Sequence, residues 1–403
     1  MLDCLVIGAG MAGLAAGRAL AEKGKTVQLL EARERVGGRA YTHHVEDLWF
    51  DLGCHWFHSA DRNPLIPVAR ALGLPIVQEG AHWAAPWNQQ KLGARAEELG
   101  DAFERMHEAM AATLGGRDPA VSELMPLAGA WQGYVGAAYT WSTGALPSVL
   151  SAQDLADGTS TENNWRTPGG LGDFTRRFGA GLPVTLNAPV DRLAFTAEGV
   201  VASGRFGRVE ARTAIVTVPV SKLADGTLSA PLPESHRKAL DGLPLGFNEK
   251  VFFRVEGTPF GPPSDFQANL SYDKVESAHY HIQEFGRPTV EAYYGGPLAE
   301  RLGRAGQAAL ADFALGELVG EFGGEIRKHL RPIANTAWAI DPWLQGAYSY
   351  ATPGNHGARS ALGEPIENRL FIAGEATSPH NPSSLHGAYE SGLRAAQQIL
   401  ALA

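Results

Sequence analysis

Hydrophobic and polar positions near the start of the chain separate into three segments. Largely apolar runs at 2–7 and 26–30 predict two buried strands, and the segment 12–23 between them, rich in small residues, predicts a helix. The glycine-rich turn 8–13 joins the first strand to the helix, and Glu31 follows the second strand. Such glycines allow the backbone to approach a pyrophosphate, and an acidic residue in this place can bind a ribose. The pattern therefore predicts a dinucleotide-binding βαβ unit.

Weaker patterns along the rest of the chain predict further elements of both kinds. Predicted helices cover 97–114, 119–139, 171–178, 307–320 and 384–400. Predicted strands cover 184–193, 199–202, 214–219, 250–255, 290–294 and 370–375. Five of the nine tryptophans fall in residues 77–165, where they either fill a core or line a substrate site: Trp83, Trp87, Trp131, Trp141 and Trp165.

Composition and charge exclude several classes of protein. With 44% hydrophobic and 19% charged residues, the chain of 403 residues has the composition of a globular protein large enough for two cores. A net charge of −9 argues against nucleic acid as a partner. Two cysteines, Cys4 and Cys54, give no disulfide framework. No run reaches the length of a membrane span and no signal peptide is recognised, so we expect a cytoplasmic protein without an integral membrane segment.

A second glycine-containing element follows the βαβ unit. The run Arg35-Val36-Gly37-Gly38-Arg39 resembles the second fingerprint of the FAD-binding, glutathione-reductase-like group. In that group the diglycine brings the backbone close to the diphosphate, and an arginine such as Arg39 supplies positive charge. NAD-dependent dehydrogenases have no need of this element. The resemblance therefore implies FAD as the cofactor.

Further motifs extend this resemblance over nearly the whole chain. In order they are 51–58, 63–65, 167–172, Val190, 217–219, Lys250, 341–343, 346–349 and 374–388. Together they resemble the flavin-containing amine oxidase superfamily, with motifs closest to its polyamine oxidase and lysine demethylase members. The resemblance implies an α/β fold in which an FAD-binding Rossmann-like domain of the glutathione-reductase type is interleaved with an α+β substrate domain. The predicted FAD-binding domain comprises 1–76, 166–240 and 341–403, and the substrate domain comprises 77–165 and 241–340.

The resemblance also assigns residues to the cofactor. They are Gly8, Gly10, Ala12, Gly13, Glu31, Ala32, Arg33, Gly38, Arg39, Gly53, Cys54, His55, Trp56, Val190, Gly374, Glu375, Ser384 and Leu385. Val190 would hold the adenine through its backbone, and Glu375 would bind the ribityl chain. Ser384 and Leu385 begin the last predicted helix, whose positive N-terminal end would stabilise negative charge on the reduced flavin. Ser384 is also expected to be the N-cap of that helix.

Three residues are predicted to act near the reacting atoms. By resemblance, Lys250 would hold a water against flavin N5, Tyr348 would form one wall of an aromatic cage for the amine, and His58 would contact the substrate. The second wall, usually aromatic, corresponds to Ser384 here. Ala347 stands where monoamine oxidases carry the cysteine that binds FAD covalently, so we expect non-covalent FAD. No metal site and no carboxylate beside the reacting nitrogen are predicted.

These residues together predict an FAD-dependent amine oxidase. Hydride would pass from the amine α-carbon to flavin N5, the imine would be hydrolysed, and O2 would reoxidise the flavin to give H2O2. The predicted partners are O2 and a polyamine or another small amine. Two alternatives remain at this point: an FAD-dependent desaturase of an isoprenoid or carotenoid-type lipid, and a flavin-binding protein without turnover.

Overall fold

The computed structural model describes residues 1–78, 90–161, 163–262 and 264–402, and its strands form sheets of seven, five and two strands. The strands are β1 Leu2–Ile7, β2 Val27–Leu30, β3 Thr42–Val45, β4 Leu48–Asp51, β5 Val184–Thr185, β6 Arg192–Phe195, β7 Val200–Gly204, β8 Gly207–Val216, β9 Asn248–Val255, β10 Phe266–Asn269, β11 His279–Ile282, β12 Thr289–Gly295, β13 Leu330–Asn335 and β14 Leu370–Ile372.

Helices cover both faces of the seven-stranded sheet and one face of the five-stranded sheet. In the described residues they are α1 Met11–Glu22, α2 Leu65–Ala71, α3 Arg95–Ala111, α4 Val121–Leu124, α5 Gln132–Thr143, α6 Ala152–Asp157, α7 Leu171–Phe178, α8 Val220–Ala224, α9 Glu234–Asp241, α10 Gly296–Ala305, α11 Gln307–Phe322, α12 Ala358–Leu362 and α13 Leu385–Leu400. In this part of the chain, no helix combines the length and the apolar character that a membrane crossing requires.

The seven-stranded sheet is the dinucleotide-binding platform that the sequence predicts. Its order is β5-β2-β1-β8, followed on the far edge of β8 by β7 and β14, with β6 beyond β7. The pairs β5–β2, β2–β1, β1–β8 and β8–β14 are parallel. One core cluster, which includes Leu14 and Phe174, covers one face, and a second, which includes Leu193 and Leu240, covers the other. The predicted α/β class with a Rossmann-like FAD domain is confirmed.

The five-stranded sheet is antiparallel, in the order β10-β11-β12-β9-β13. Alternate residues such as Tyr280, Ala292 and Tyr294 pack on one face against α10 and α11. The residues between them face the other way and are mainly polar. One sheet therefore combines an apolar core face with a polar face.

Two predicted elements are wrong in their extent. The helix predicted at 119–139 is divided into α4, a 3₁₀ segment Met125–Trp131 and α5, because Pro126 interrupts the helix and Gly129 has φ of 58°. The strand predicted at 184–193 is two short strands, β5 and β6, separated by Asn187 at φ 53° and by Pro189. Trp83 and Trp87 lie outside the described residues, and the domain boundaries stay a prediction.

Candidate active site

A cavity of about 1080 Å³ reaches from the ends of β1 and β2 to the polar face of the five-stranded sheet. Every residue predicted to bind the cofactor or to act in catalysis lines it, except Gly13. Gly13 has a packing role instead: a Cβ there would lie 2.0 Å from the carbonyl oxygen of Gly8, so only glycine lets α1 pack on the turn. The fold thus brings residues far apart in the sequence to one space.

The nucleotide end of the cavity is a backbone cradle. Gly8 has φ of 100°, which favours glycine, and a Cβ at Gly10 or Gly374 would meet no atom within 4 Å. Gly10 therefore presents bare backbone to open space at the N-terminus of α1, where unpaired N–H groups attract an anion, and Gly374 presents bare backbone to the same cavity after β14. The cradle fits the pyrophosphate of FAD.

Glu31 is held at the edge of this cradle by backbone amides. Its Oε2 accepts from the Ala9 N–H at 2.7 Å and its Oε1 from the Arg33 N–H at 3.0 Å. A carboxylate has further acceptor positions on each oxygen, so Glu31 retains the capacity to bind ribose hydroxyls. The guanidinium of Arg33 pairs with Asp341 at 2.7 Å.

Glu375 belongs to a buried network at the centre of the cavity. Its Oε1 accepts from Arg39 at 2.9 Å and its Oε2 from the Ser349 hydroxyl at 2.7 Å. Ser349 Oγ also accepts from the fully buried Arg359, which forms two hydrogen bonds with Asp154. Burial opposes ionisation of Glu375, but the two arginines outweigh it and lower its pKa. Glu375 is therefore an anion fixed in place.

Lys250 lies on β9 at the other end of the cavity. Its Nζ donates to the Asp51 carbonyl at 3.0 Å and pairs with Glu291 Oε1 at 3.0 Å. Its side chain is only 6% exposed, so it is not a surface charge. Asp51 itself caps α7: its carboxylate accepts from the Leu171 N–H at 2.9 Å, in the segment that follows the diglycine 169–170.

Tyr348 is held by a second tyrosine and by the end of a helix. Its hydroxyl lies 2.5 Å from that of Tyr293 and 2.9 Å from the Trp141 carbonyl oxygen, near the C-terminus of α5. Tyr293 also reaches the Trp141 carbonyl, at 3.1 Å. Burial raises the pKa of both phenols, so both remain protonated. Tyr348 is thus a rigid, uncharged aromatic surface.

His55 carries a buried positive charge. Its Nε2 lies 2.5 Å from Glu284 Oε1 and its Nδ1 lies 3.5 Å from Glu291 Oε2. Burial disfavours the imidazolium, but the two carboxylates outweigh it and raise the pKa of His55 to about 9. Burial likewise opposes ionisation of Glu291, but Lys250 and His55 lower its pKa to about 2. Glu291 therefore bridges two cations as a carboxylate.

Glu284 is the centre of the remaining charges. It pairs with His55, Arg166 and Arg287. Its pKa lies well below its usual range because neighbouring positive charges, with His55 foremost and Arg287 among them, outweigh its burial. The ligand atoms of His55, His281 and Glu284 lie within 4.8 Å of one another, a spacing suited to a metal ion. However, Arg166 Nη1 lies 3.2 Å from Glu284 and 3.3 Å from His281, so a cation already lies among them. These residues do not fit a metal centre.

The remaining predicted residues have defined partners. His58 Nδ1 lies 2.7 Å from Asn164 Oδ1, and burial lowers its pKa. Ser384 caps α13 as predicted, because its Oγ accepts from the Gly387 N–H at 3.0 Å. Burial raises the pKa of the Cys54 thiol to about 11, so this cysteine is not a thiolate nucleophile near neutral pH.

The sequence analysis missed the charged and aromatic residues that the five-stranded sheet contributes. Those that line the cavity are His279, His281, Glu291 and Tyr293, and Glu284 follows β11. The sequence analysis assigned no carboxylate to this part of the site, and the structure places Glu291 beside Lys250. The signal that could have found them is the alternation of polar and core residues along each strand. In β11 a core residue separates His279 from His281, and in β12 a core residue separates Glu291 from Tyr293.

The fold and the cradle together define an FAD-dependent oxidoreductase. A family profile described as flavin containing amine oxidoreductase matches residues 11–160 and 145–400. The chain belongs to this family, and it is an FAD-dependent amine oxidoreductase.

Relatives and solved structures agree with this family. Polyamine oxidase 2 of Arabidopsis thaliana is 27% identical, over 98% of this chain and 87% of that protein. Lysine-specific histone demethylase 1B of Mus musculus is 25% identical over 98% of this chain, which spans about half (52%) of that protein. A structure of wild-type putrescine oxidase bound to putrescine has a TM-score of 0.80 at 21% identity, with 99% of each chain covered. Cyclohexylamine oxidase from Brevibacterium oxydans has a TM-score of 0.75 at 19% identity, covering 100% of this chain and 99% of that chain.

Proposed function

We propose that this protein oxidises a polyamine or another small amine, with O2 as the electron acceptor. The observation that carries this proposal is the position of Lys250 and Tyr348, which line the same cavity as the FAD cradle. The polyamine and putrescine oxidases among the similar proteins support a small amine as the substrate. Cytoplasmic location remains a prediction from the sequence.

The bound flavin would accept a hydride at N5 from the α-carbon of the amine and pass the electrons to O2, giving H2O2, while water hydrolyses the imine. Gly10, Gly374 and Glu31 would hold the dinucleotide. Lys250, fixed by Asp51 and Glu291, would keep a water in place, and Tyr348 would orient the amine.

Neither His55 nor Glu291 takes up a proton near neutral pH. His55 is already protonated, and Glu291 remains ionised down to about pH 2, because each stabilises the charge of the other. The carboxylates of Glu291 and Glu284 are already paired with side-chain cations, so neither offers an unshared negative charge to an alkylammonium. The site therefore favours the neutral amine, whose nitrogen lone pair is needed for hydride loss, and solvent would take the amine proton.

We also propose that FAD is bound without a covalent link. Ala347 has only a methyl group to offer, and the thiol of Cys54 is protonated near neutral pH. Acid precipitation is therefore expected to release yellow FAD into the supernatant. Flavin that stays with the pellet would contradict the proposal.

An anaerobic titration tests the activity itself. Amines are expected to bleach the visible absorption of the bound flavin, and isoprenoid lipids are expected to leave it unchanged. Bleaching by lipids alone would support the desaturase alternative. No bleaching by any amine or lipid would support a flavin-binding protein without turnover.

A further inference from the structure

A buried ion pair lies behind the nucleotide end of the cavity. Arg359 on α12 is 1% exposed, and Asp154 on α6 is 4% exposed. The guanidinium donates to both oxygens of the carboxylate, from Nε at 2.7 Å and from Nη2 at 2.9 Å. A buried ion pair adds little net stability compared with apolar side chains of similar volume. The stability of the fold therefore does not by itself account for this pair.

Ser349 connects the ion pair to Glu375. Arg359 Nη1 donates to Ser349 Oγ at 2.8 Å, and its Nη2 donates to the Ser349 carbonyl oxygen at 3.3 Å. Because an arginine can only donate, the single hydroxyl proton of Ser349 is left for Glu375 Oε2, which lies 2.7 Å away. Arg359 thus fixes both the position of Ser349 and the direction in which its hydroxyl donates.

Glu375 is surrounded by protein donors. Its Oε1 accepts from Arg39 Nη1 at 2.9 Å and from the Ser349 N–H at 3.2 Å. Its Oε2 accepts from the Ser349 hydroxyl and from the Ser383 N–H at 3.1 Å. A carboxylate has about four acceptor positions, and these four donors fill them. The group that Glu375 presents to the cavity is therefore the guanidinium that it holds.

That guanidinium, of Arg39, is only partly used by the protein. Its Nη1 donates to Glu375 and to the Ala347 carbonyl oxygen at 2.6 Å, which takes both Nη1 protons. The N–H groups of Nε and Nη2 have no partner in the part of the chain that the structure describes, and the side chain lines the cavity. A free guanidinium edge suits the two oxygens of a phosphate, so it fits the diphosphate of FAD.

We infer that Arg359 is a positioning residue for FAD. It fixes Ser349 and Glu375, and these in turn orient the guanidinium of Arg39 that would hold the diphosphate. The inference goes beyond the proposed function, because it concerns how tightly FAD is held and not which substrate is oxidised. The rival explanation is that the ion pair only holds α6 against α12, in which case its loss would lower the Tm without changing the affinity for FAD.

The affinity of the holoenzyme for FAD separates these explanations. Fluorescence of the FAD released on serial dilution gives the Kd, and the dependence of the Tm on added FAD checks it. Arg359→Lys keeps the charge but loses the planar fork that contacts Asp154 and Ser349 together. It is expected to weaken FAD binding about tenfold, as the loss of one charge-assisted hydrogen bond would. Ser349→Ala is expected to have a similar effect. The double variant should be no weaker than either single variant, because both changes break the same connection.

Tyr280→Phe is the matched control, because it removes a buried hydroxyl that bonds to Glu317 in the core of the five-stranded sheet. It should lower the Tm and leave the Kd for FAD unchanged. A lower Tm with unchanged FAD affinity in Arg359→Lys would overturn the inference, and so would single effects that multiply to about a hundredfold in the double variant. If Arg359→Lys does not fold, Asp154→Asn replaces it in both comparisons, since it removes the charge that holds the guanidinium. If no amine reduces the flavin, the proposed function fails, and the FAD affinities still decide the role of Arg359.

Discussion

Glu284→Gln tests the charge that the structure assigns to His55. The substitution keeps the shape of the side chain but removes the carboxylate that lies 2.5 Å from His55 Nε2. His55 would keep only the longer, 3.5 Å contact with Glu291, while its burial still disfavours the charged form. We therefore expect the pKa of His55 to fall from about 9 towards or below its ordinary value of 6.5.

The magnitude follows from the linkage between proton binding and folding. A histidine whose pKa is raised in the folded state stabilises it fully below the unfolded pKa, here 6.5, and this stabilisation is lost as pH rises through about 9. At roughly 1.4 kcal/mol for each pH unit between the two values, the contribution is about 3 kcal/mol. Arg166 and Arg287 lose their ion pair with Glu284 at every pH, so this loss adds a penalty to the variant that does not depend on pH.

Thermal melting of the two holoenzymes at fixed FAD concentration measures this difference. For a chain of this length each kcal/mol corresponds to about 1–2 °C, so the gap in Tm between wild type and Glu284→Gln should be about 3–6 °C larger at about pH 6 than at about pH 10. Unfolded-state ionisation of Cys4 and Cys54 affects both proteins equally. Glu300→Gln is the matched control, because it breaks an exposed ion pair with Arg304 and should change Tm little at either pH. A gap that is the same at both pH values would refute the assignment of the charge to His55.

Three further predictions concern the cofactor and the reaction. Glu31→Ala should weaken FAD binding by about 1.5–3 kcal/mol, because charge-assisted hydrogen bonds are lost; retention of FAD after dilution and filtration measures this, and unchanged retention would contradict it. Lys250→Met should keep FAD bound yet slow flavin reduction or reoxidation, and rapid-mixing traces equal to wild type in both half-reactions would count against it. The rate of flavin reduction should rise through one ionisation between neutral and mildly alkaline pH, because the aromatic, partly cationic site lowers the pKa of the bound amine; a flat or falling profile would oppose it.

The nucleotide end of the site was predictable because its signals are local. Gly8, Gly10 and Glu31 belong to one strand–turn–helix–strand unit, where each residue type has a direct conformational or chemical reason. The resemblance to a family added Lys250 and Tyr348, which no local pattern would have joined to this unit. The single helix predicted at 119–139 was wrong because the prediction gave more weight to the helix-forming residues of this segment than to Pro126 and Gly129. Those two residues interrupt the helix in the structure.

The charged end of the site was not predictable because it depends on strand register. Lys250 meets Glu291, and His55 meets Glu284, only after β9, β11 and β12 pair across long separations in sequence. A shift of one residue in the pairing of β9 with β12 would turn Glu291 to the face opposite Lys250. The alternation of polar and core residues in these strands is a usable signal for the polar face, but it does not identify which charges become partners.

The double pairing of Glu291 also determines what Lys250→Met can show. Removal of the ammonium leaves Glu291 with His55, so a slower flavin reaction could reflect a changed His55 as well as a lost water. Lys250→Arg separates the two causes, since it keeps the positive charge but replaces a compact ammonium with a planar guanidinium. If the positive charge is what matters, the Lys250→Arg variant should regain most of the flavin reaction rate that is lost in Lys250→Met. If Lys250 acts by holding a water, as we propose, the flavin reaction of Lys250→Arg should remain nearly as slow as that of Lys250→Met. The Tm of Lys250→Arg should nevertheless return towards that of wild type, because the ion pair with Glu291 is kept.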